Sequence, residues 1–161
     1  MMNLPDAVQF HLNQHGFPYR LIDCPSVESL VQAAAKLDIP PRQIARTVLL
    51  RDKAGLVMAI LPCSYILDFS MLCQALQRDL DPLYGIETHR FFEQYGCQTG
   101  CHPPLPGAFA IPALADASLV ADEDAEVYFD GGNGDVLVSM RAADFRQVLA
   151  TARWGHFAVS T

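Results

Sequence analysis

The residue types that chemistry asks for gather in one stretch, Tyr95-Gly-Cys-Gln-Thr-Gly-Cys-His-Pro-Pro-Leu-Pro-Gly107. Glycines at 96, 100 and 107 let peptide N–H groups approach a ligand closely, and prolines at 103, 104 and 106 fix φ and remove competing donors. A loop that mixes the two is rigid and presents bare main chain, which suits recognition of a carbonyl or a phosphate. Cys101 and His102 stand at its centre. An unperturbed histidine, with a pKa near about 6.5, suits general-base work, although a loop histidine is more often simply solvated. A cysteine acts as a nucleophile only when its thiolate is stabilised, and no partner base can be assigned to Cys101 from sequence, so it reads as a small packing residue. Cys97, Cys101 and His102 form a C-x-x-x-C-H run. Structural zinc asks for a second ligand pair at similarly tight spacing, which His89 and Cys73 do not supply. No metal and no cofactor is implied.

The totals set the frame for that loop. A chain of 161 residues, 51% apolar and 18% charged, can bury a substantial core as one domain over 1–161. Its tail, 153–161, keeps Trp154 and Phe157 without a clear closing element, which leaves open a continuation into a further domain. Five irregularly spaced cysteines argue against a disulfide framework. No apolar run approaches the roughly 18 to 20 residues that span a bilayer. The first residues have no basic-then-apolar export pattern, so a cytoplasmic location is expected. A net charge of −7 excludes a long electrostatic footprint on duplex nucleic acid, and only Arg42, Arg46, Arg51 and Lys53 fall near one another. Any nucleic-acid partner would be gripped by a short end.

Periodicity supplies the elements that must position the loop. Pro5–His15 reads as an amphipathic helix stopped by Gly16, and Phe17–Ile22 alternates as a strand. Ser26 is a good cap for a helix burying Leu30, Val31, Ala34 and Leu37. Ala45–Arg51 and Leu56–Leu61 are apolar runs joined at Asp52–Gly55, a hairpin pattern. Asp68 caps a third helix that buries Met71, Leu72, Ala75 and Leu76, and Thr88–Tyr95 is a fourth, closed by Gly96. Beyond the loop, Ala108–Leu114, Glu126–Phe129 and Val136–Met140 read as strands, and Ala142–Ala152 as a last helix. Asp116 reads as a turn former. Without strict βαβ alternation the class is α+β.

Four stretches in this order carry a resemblance: Ile44-Ala-Arg-Thr-Val-Leu-Leu50, then Leu56–Pro62 with Asp68 after it, then Gly96-x-x-x-Gly100-x-x-x-Pro104, then Asp116 with Val127-Tyr-Phe-Asp-Gly-Gly132. Together they resemble the YbaK/prolyl-tRNA-synthetase-associated domain family, over nearly the whole chain to about Leu149. The resemblance implies a mixed, β-barrel-like sheet with flanking helices. It also implies a trans-editing deacylase that hydrolyses the ester of a mischarged tRNA, with the acceptor end of aminoacyl-tRNA as partner. Gly100 and Pro104 take the positions of the family's glycine-to-proline motif, whose amides hold the aminoacyl ester; Cys101 and His102 lie inside it. Gly131 and Gly132 fall on its glycine pair beside the pocket, and Tyr19 on an aromatic that often lines it.

Ester hydrolysis creates an oxyanion, and oriented peptide N–H groups stabilise it without a side-chain nucleophile. The family usually has lysine where this chain has Arg46, next to Thr47. Arginine keeps the charge but is bulkier, planar and never deprotonated. Asp130 also departs, standing where relatives often carry a small polar residue before the glycine pair; it is placed to pair with Arg46, to activate water or to repel phosphate. Two functions therefore stand side by side. One is a deacylase using Arg46 and the Gly100 backbone, and the other is an inactive relative kept as a binding or regulatory module, part of a longer protein. The amino acid removed and the oligomeric state are not legible in the sequence.

Overall fold

The computed structural model describes residues 3–24 and 29–160. A helix α1 (Asp6–His15) follows Pro5, and a strand β1 (Arg20–Asp23) comes next. Helix α2 (Leu30–Leu37) begins at Ser29, whose hydroxyl accepts the Gln32 amide. The cap expected at Ser26 lies outside the described residues. Strands β2 (Ile44–Asp52) and β3 (Gly55–Pro62) form the expected hairpin, in register from Ala45–Pro62 to Asp52–Gly55. Strand β4 (Tyr65–Leu67) leads into α3 (Phe69–Leu76), where the Asp68 carboxylate accepts the Met71 amide as a cap should. Then come β5 (Asp81–Pro82) and α4 (Gly85–Glu93). After the glycine-proline loop the chain forms α5 (Pro106–Phe109), β6 (Ala113–Asp116), β7 (Glu126–Asp130), β8 (Val136–Arg141) and α6 (Ala142–Val148). Two last strands, β9 (Arg153–Gly155) and β10 (Ala158–Ser160), end the described chain.

The main sheet runs β1-β8-β7-β2-β3-β6-β9, with β5 on the outer part of β2. The pairs β2–β7, β3–β6 and β6–β9 are parallel and the others antiparallel. The class is the α+β arrangement expected, a large mixed sheet with flanking helices; it is not a closed barrel, since β1 and β9 are its ends and do not pair among the described residues. Strand alternation sorts the core onto two faces. Ala45, Leu49, Phe129 and Val138 face a cluster with Leu12, Phe92, Phe109 and Phe145. On the other face Ile44 and Leu137 pack with Cys24, Ala33 and Ala34 beneath α2, and Leu50, Val57 and Leu72 pack with Phe157 beneath α3. Each fully buried aromatic or aliphatic side chain contributes about 1.5–3 kcal/mol.

Several expectations are corrected by this packing. Val31 and Met71 are 58% and 43% exposed, because the inward faces of α2 and α3 belong to Ala33, Ala34 and Leu72. The segment read as a strand over Ala108–Leu114 is divided: Pro106 starts a helical turn at a first-turn position, and pairing with β3 begins only at Ala113. Helix α4 starts earlier than Thr88, at Gly85, and α6 ends at Val148, short of Ala152. The tail is paired into the fold: Trp154 pairs beside Ala115, and β10 pairs with β4. Asp116, more than a turn former, is buried and holds that tail through the amides of Phe157 and Ala158.

Candidate active site

The glycine-proline loop is built into the fold by its main chain. Gln98 donates its amide to the Gly132 carbonyl at 2.9 Å, and its side-chain Oε1 accepts the Gly134 amide at 3.0 Å. His102 donates its amide to Asp130 Oδ2 at 2.8 Å, and its carbonyl accepts the Thr47 hydroxyl at 2.9 Å. The loop is thus tied to the β7–β8 turn on one side and to β2 on the other. Pro103, Pro104 and Pro106 are buried behind it and keep water from its back. Its front, Thr99 to Cys101, lines a cavity of about 160 Å³. Asp130, Asn133 and Gly134 line it from the β7–β8 turn, and Cys24, Leu30, Ala33 and Leu137 supply its apolar lining. Gly100 has φ +87°, a conformation natural to glycine, and its amide makes no hydrogen bond within the described residues.

Among the described residues, Asp130 is the one carboxylate on that lining. Oδ1 accepts the Gly132 amide at 2.7 Å while Oδ2 holds His102, so the group is fixed in orientation. Burial pushes its pKa up to about 6, and the two amides and the Cys101 thiol moderate that rise. It makes no ion pair with Arg46 among the described residues. The Cys101 thiol is pushed up to about 12, by burial first and by Asp130 second, and Cys97 likewise. Neither is a thiolate at neutral pH.

The sequence-derived residues fall into three groups. Gly100, Cys101 and Asp130 meet at the cavity. Thr47, His102, Pro104, Gly131 and Gly132 are its support and are not on its lining. The two glycines are small because the N-terminal segment sits against them: a Cβ on Gly131 would come to 2.7 Å of Leu4 Cδ2, and one on Gly132 to 2.9 Å of Pro5 Cγ. Tyr19 and Arg46 stand apart. The Tyr19 hydroxyl donates to Asn13, and its ring borders a separate hollow with Arg20 and Asp144. Arg46 lies one step beyond the Ala45–Phe129 pair, and alternation places it on the α2 side of the sheet with Asp130. Its half-buried guanidinium donates to the Tyr65 carbonyl at 3.0 Å, and desolvation lowers its pKa.

The apolar wall escaped the sequence reading. Cys24 and Leu137 meet because Ile22 pairs with Leu137 across more than a hundred residues, and only the Ala33-Ala34-Ala35 run hints at close approach.

His102 is not the solvated loop histidine expected from its sequence setting. Its Nε2 lies 2.9 Å from His89 Nδ1, and its ring stacks on Phe92 at 4.9 Å. Burial, then His89, lowers its pKa from 6.5 to about 4. Between those values the unfolded chain binds a proton that the folded chain refuses, so this contribution to stability is lost as pH falls through that window. Asp130 has the opposite sign, because a raised carboxyl favours the fold on acidification. The difference in unfolding free energy between the wild type and His102→Asn, in which Asp130 is common, should therefore narrow from pH 6.5 towards pH 4. Urea melts at both ends test this, and a constant difference would refute it.

Comparison with known proteins adds the following. The family model described as "aminoacyl-tRNA editing domain" matches residues 24–148, from the cavity wall through α6. No curated protein matches. A candidate signal-transduction protein from Marinobacter aquaeolei VT8 is similar at 29% identity and a TM-score of 0.79; the match covers 98% of this chain and 31% of that one. This chain thus spans about a third of that relative's length. A protein described as a candidate trans-editing enzyme for prolyl tRNA synthetase shares the fold, with a TM-score of 0.80 at 18% identity, over 99% of both chains. No helix among the described residues is long and apolar enough to cross a membrane. With the family's model running through the cavity wall, the glycine loop and the β7–β8 turn alike, the chain belongs to the aminoacyl-tRNA editing domain family.

Proposed function

We propose that this protein hydrolyses the ester bond of mischarged aminoacyl-tRNA in trans, taking only the acceptor end of the tRNA. The observation that carries this is Gly100, exposed on the lining of a cavity that it shares with the Asp130 carboxylate, with an amide that makes no hydrogen bond among the described residues. A peptide N–H so placed stabilises the oxyanion of ester hydrolysis, and it is held in place before substrate arrives. The family membership and the editing description of a neighbour of the same fold support the same chemistry. A net charge of −7 accords with a grip on a single-stranded end, where few phosphates are touched. Arg46 supplies positive charge from the cavity's side of the sheet without reaching the lining, as a field felt by the ester or a phosphate of the terminal nucleotide. The test is release of amino acid from a panel of misacylated tRNAs by wild type, Arg46→Ala and Arg46→Lys. Turnover of at least one member by wild type, weakened in Arg46→Ala, is expected; a folded protein silent on every member would exclude the proposal.

A second function, a binding or regulatory module without turnover, is favoured by two observations. The Arg46 guanidinium is committed to the Tyr65 carbonyl, and the relative at 29% identity is a longer protein described in signalling terms. Tight binding of aminoacyl-tRNA by a silent wild type, with turnover appearing in Arg46→Lys, would favour it.

A further inference from the structure

We propose that Asp130 is the general base of this reaction, taking the proton from the attacking water. The inference rests on the hydrolytic function proposed above. Hydrolysis of an ester at neutral pH needs a group that accepts a proton at the attacking oxygen. The described lining offers few candidates: the hydroxyls of Ser29 and Thr99, the amide of Asn133, the thiols of Cys24 and Cys101, and the Asp130 carboxylate. Hydroxyls and amides are not bases in this range. The thiols are neutral, both raised by burial. His102, the obvious base by residue type, has its ring turned to His89 and Phe92, off the lining.

Asp130 has the geometry that the role needs. Its two oxygens are pinned by one amide each, at 2.7 Å and 2.8 Å, and a carboxylate oxygen accepts more than one hydrogen bond. The Cys101 thiol takes a third acceptor position, which leaves one of the roughly four lone-pair sites of a carboxylate for a water in the cavity that Asp130 and Gly100 both line. The same residues that aim the carboxylate also place the oxyanion donor, since His102 is two positions beyond Gly100. Cys97 and Cys101 face it from the loop as thiols, Arg46 from β2 turns to Tyr65, and the nearby Asp135 lies in the β7–β8 turn.

The steps balance. The water oxygen bonds to the ester carbonyl carbon as its proton passes to Asp130, and the carbonyl oxygen becomes an oxyanion held by the Gly100 amide. The bond from that carbon to the ribose oxygen then breaks, and the leaving oxygen takes the proton back from Asp130. Free amino acid and uncharged tRNA result, and the carboxylate is restored.

The experiment is a single-turnover pH profile of the full chain on whichever misacylated tRNA the wild type turns over. Wild type should rise with pH along an acid limb governed by one group near 6 and then level off. Asp130→Asn should be slower by on the order of 100-fold and lose that limb. Because the carboxamide in Asp130→Asn satisfies only one of the two amides, a second variant guards against loop collapse: Asp130→Gly, assayed with added formate. Recovery of rate with formate concentration supports proton transfer, since a merely structural role is not repaired by a diffusing carboxylate. An unchanged acid limb in Asp130→Asn, or no formate rescue in a folded Asp130→Gly, overturns the proposal while leaving the hydrolytic function standing. Silence of the wild type on the whole panel refutes the hydrolytic function itself.

Discussion

Replacing Gly100 by alanine is expected to slow hydrolysis of a misacylated tRNA by about 100- to 1000-fold, the scale of losing one oxyanion donor. The cause is conformational. Nothing lies within 4 Å of a Cβ built on Gly100, so the cavity admits the methyl group. The backbone, however, stands at φ +87°, where a residue with a Cβ is strained by about 1–2 kcal/mol. The chain relieves that strain by turning the peptide, and the Gly100 amide turns with it. Neighbouring ties from Gln98 and His102 hold the rest of the loop in place, so the thermal midpoint should fall by only a few degrees. Single-turnover rates beside a melting curve separate the two effects. A variant hydrolysing at the wild-type rate would remove Gly100 from the chemistry.

The largest stability effect is expected at Asp116, far from the cavity. Its carboxylate is 1% exposed and accepts the amides of Ser118, Phe157 and Ala158, as well as the Ser118 hydroxyl. Hydrogen bonds to a charged group contribute about 1.5–3 kcal/mol each, and a buried amide left bare costs a further amount of similar size. After relaxation, Asp116→Ala should lose about 3–5 kcal/mol, with β9 and β10 released together with Phe157. Asp68→Ala is the control: it removes a more open carboxylate that caps only the Met71 amide, at a cost of about 1 kcal/mol. Equal losses in urea unfolding would show that Asp116 does no more than cap a turn.

That contrast marks where sequence reading works. The Asp52–Gly55 hairpin, the Asp68 cap and the glycine-proline loop declare themselves within a few residues, through turn chemistry and capping preference. Asp116 carries no such sign, because its partners lie some forty residues on, in a tail too short and irregular to show a period. The candidate site divides in the same way. Gly100, Cys101 and Asp130 are legible from motif order, but Cys24, Ala33 and Leu137 reach the cavity only through pairing of β1 with β8 and the docking of α2. Tyr19 and Arg46 fit the family's positions in sequence, yet a hydrogen bond to Asn13 in one case and to Tyr65 in the other draws each polar group off the lining. Local rules fix which way a strand alternates; they do not fix where a long side chain finds its partner. Gly131 and Gly132 teach a further point, since Leu4 and Pro5 demand their smallness whether or not a ligand does.

The most direct measurement is the structure of the protein with a 3′-aminoacyl adenosine whose ester is replaced by a non-hydrolysable amide. The acyl carbonyl should lie within hydrogen-bond distance of the Gly100 amide, with the amino acid side chain against Cys24, Ala33 and Leu137 and Asp130 beside the carbonyl carbon. An analogue seated elsewhere on the protein, with the Thr99–Cys101 face left empty, would contradict this placement of the reaction.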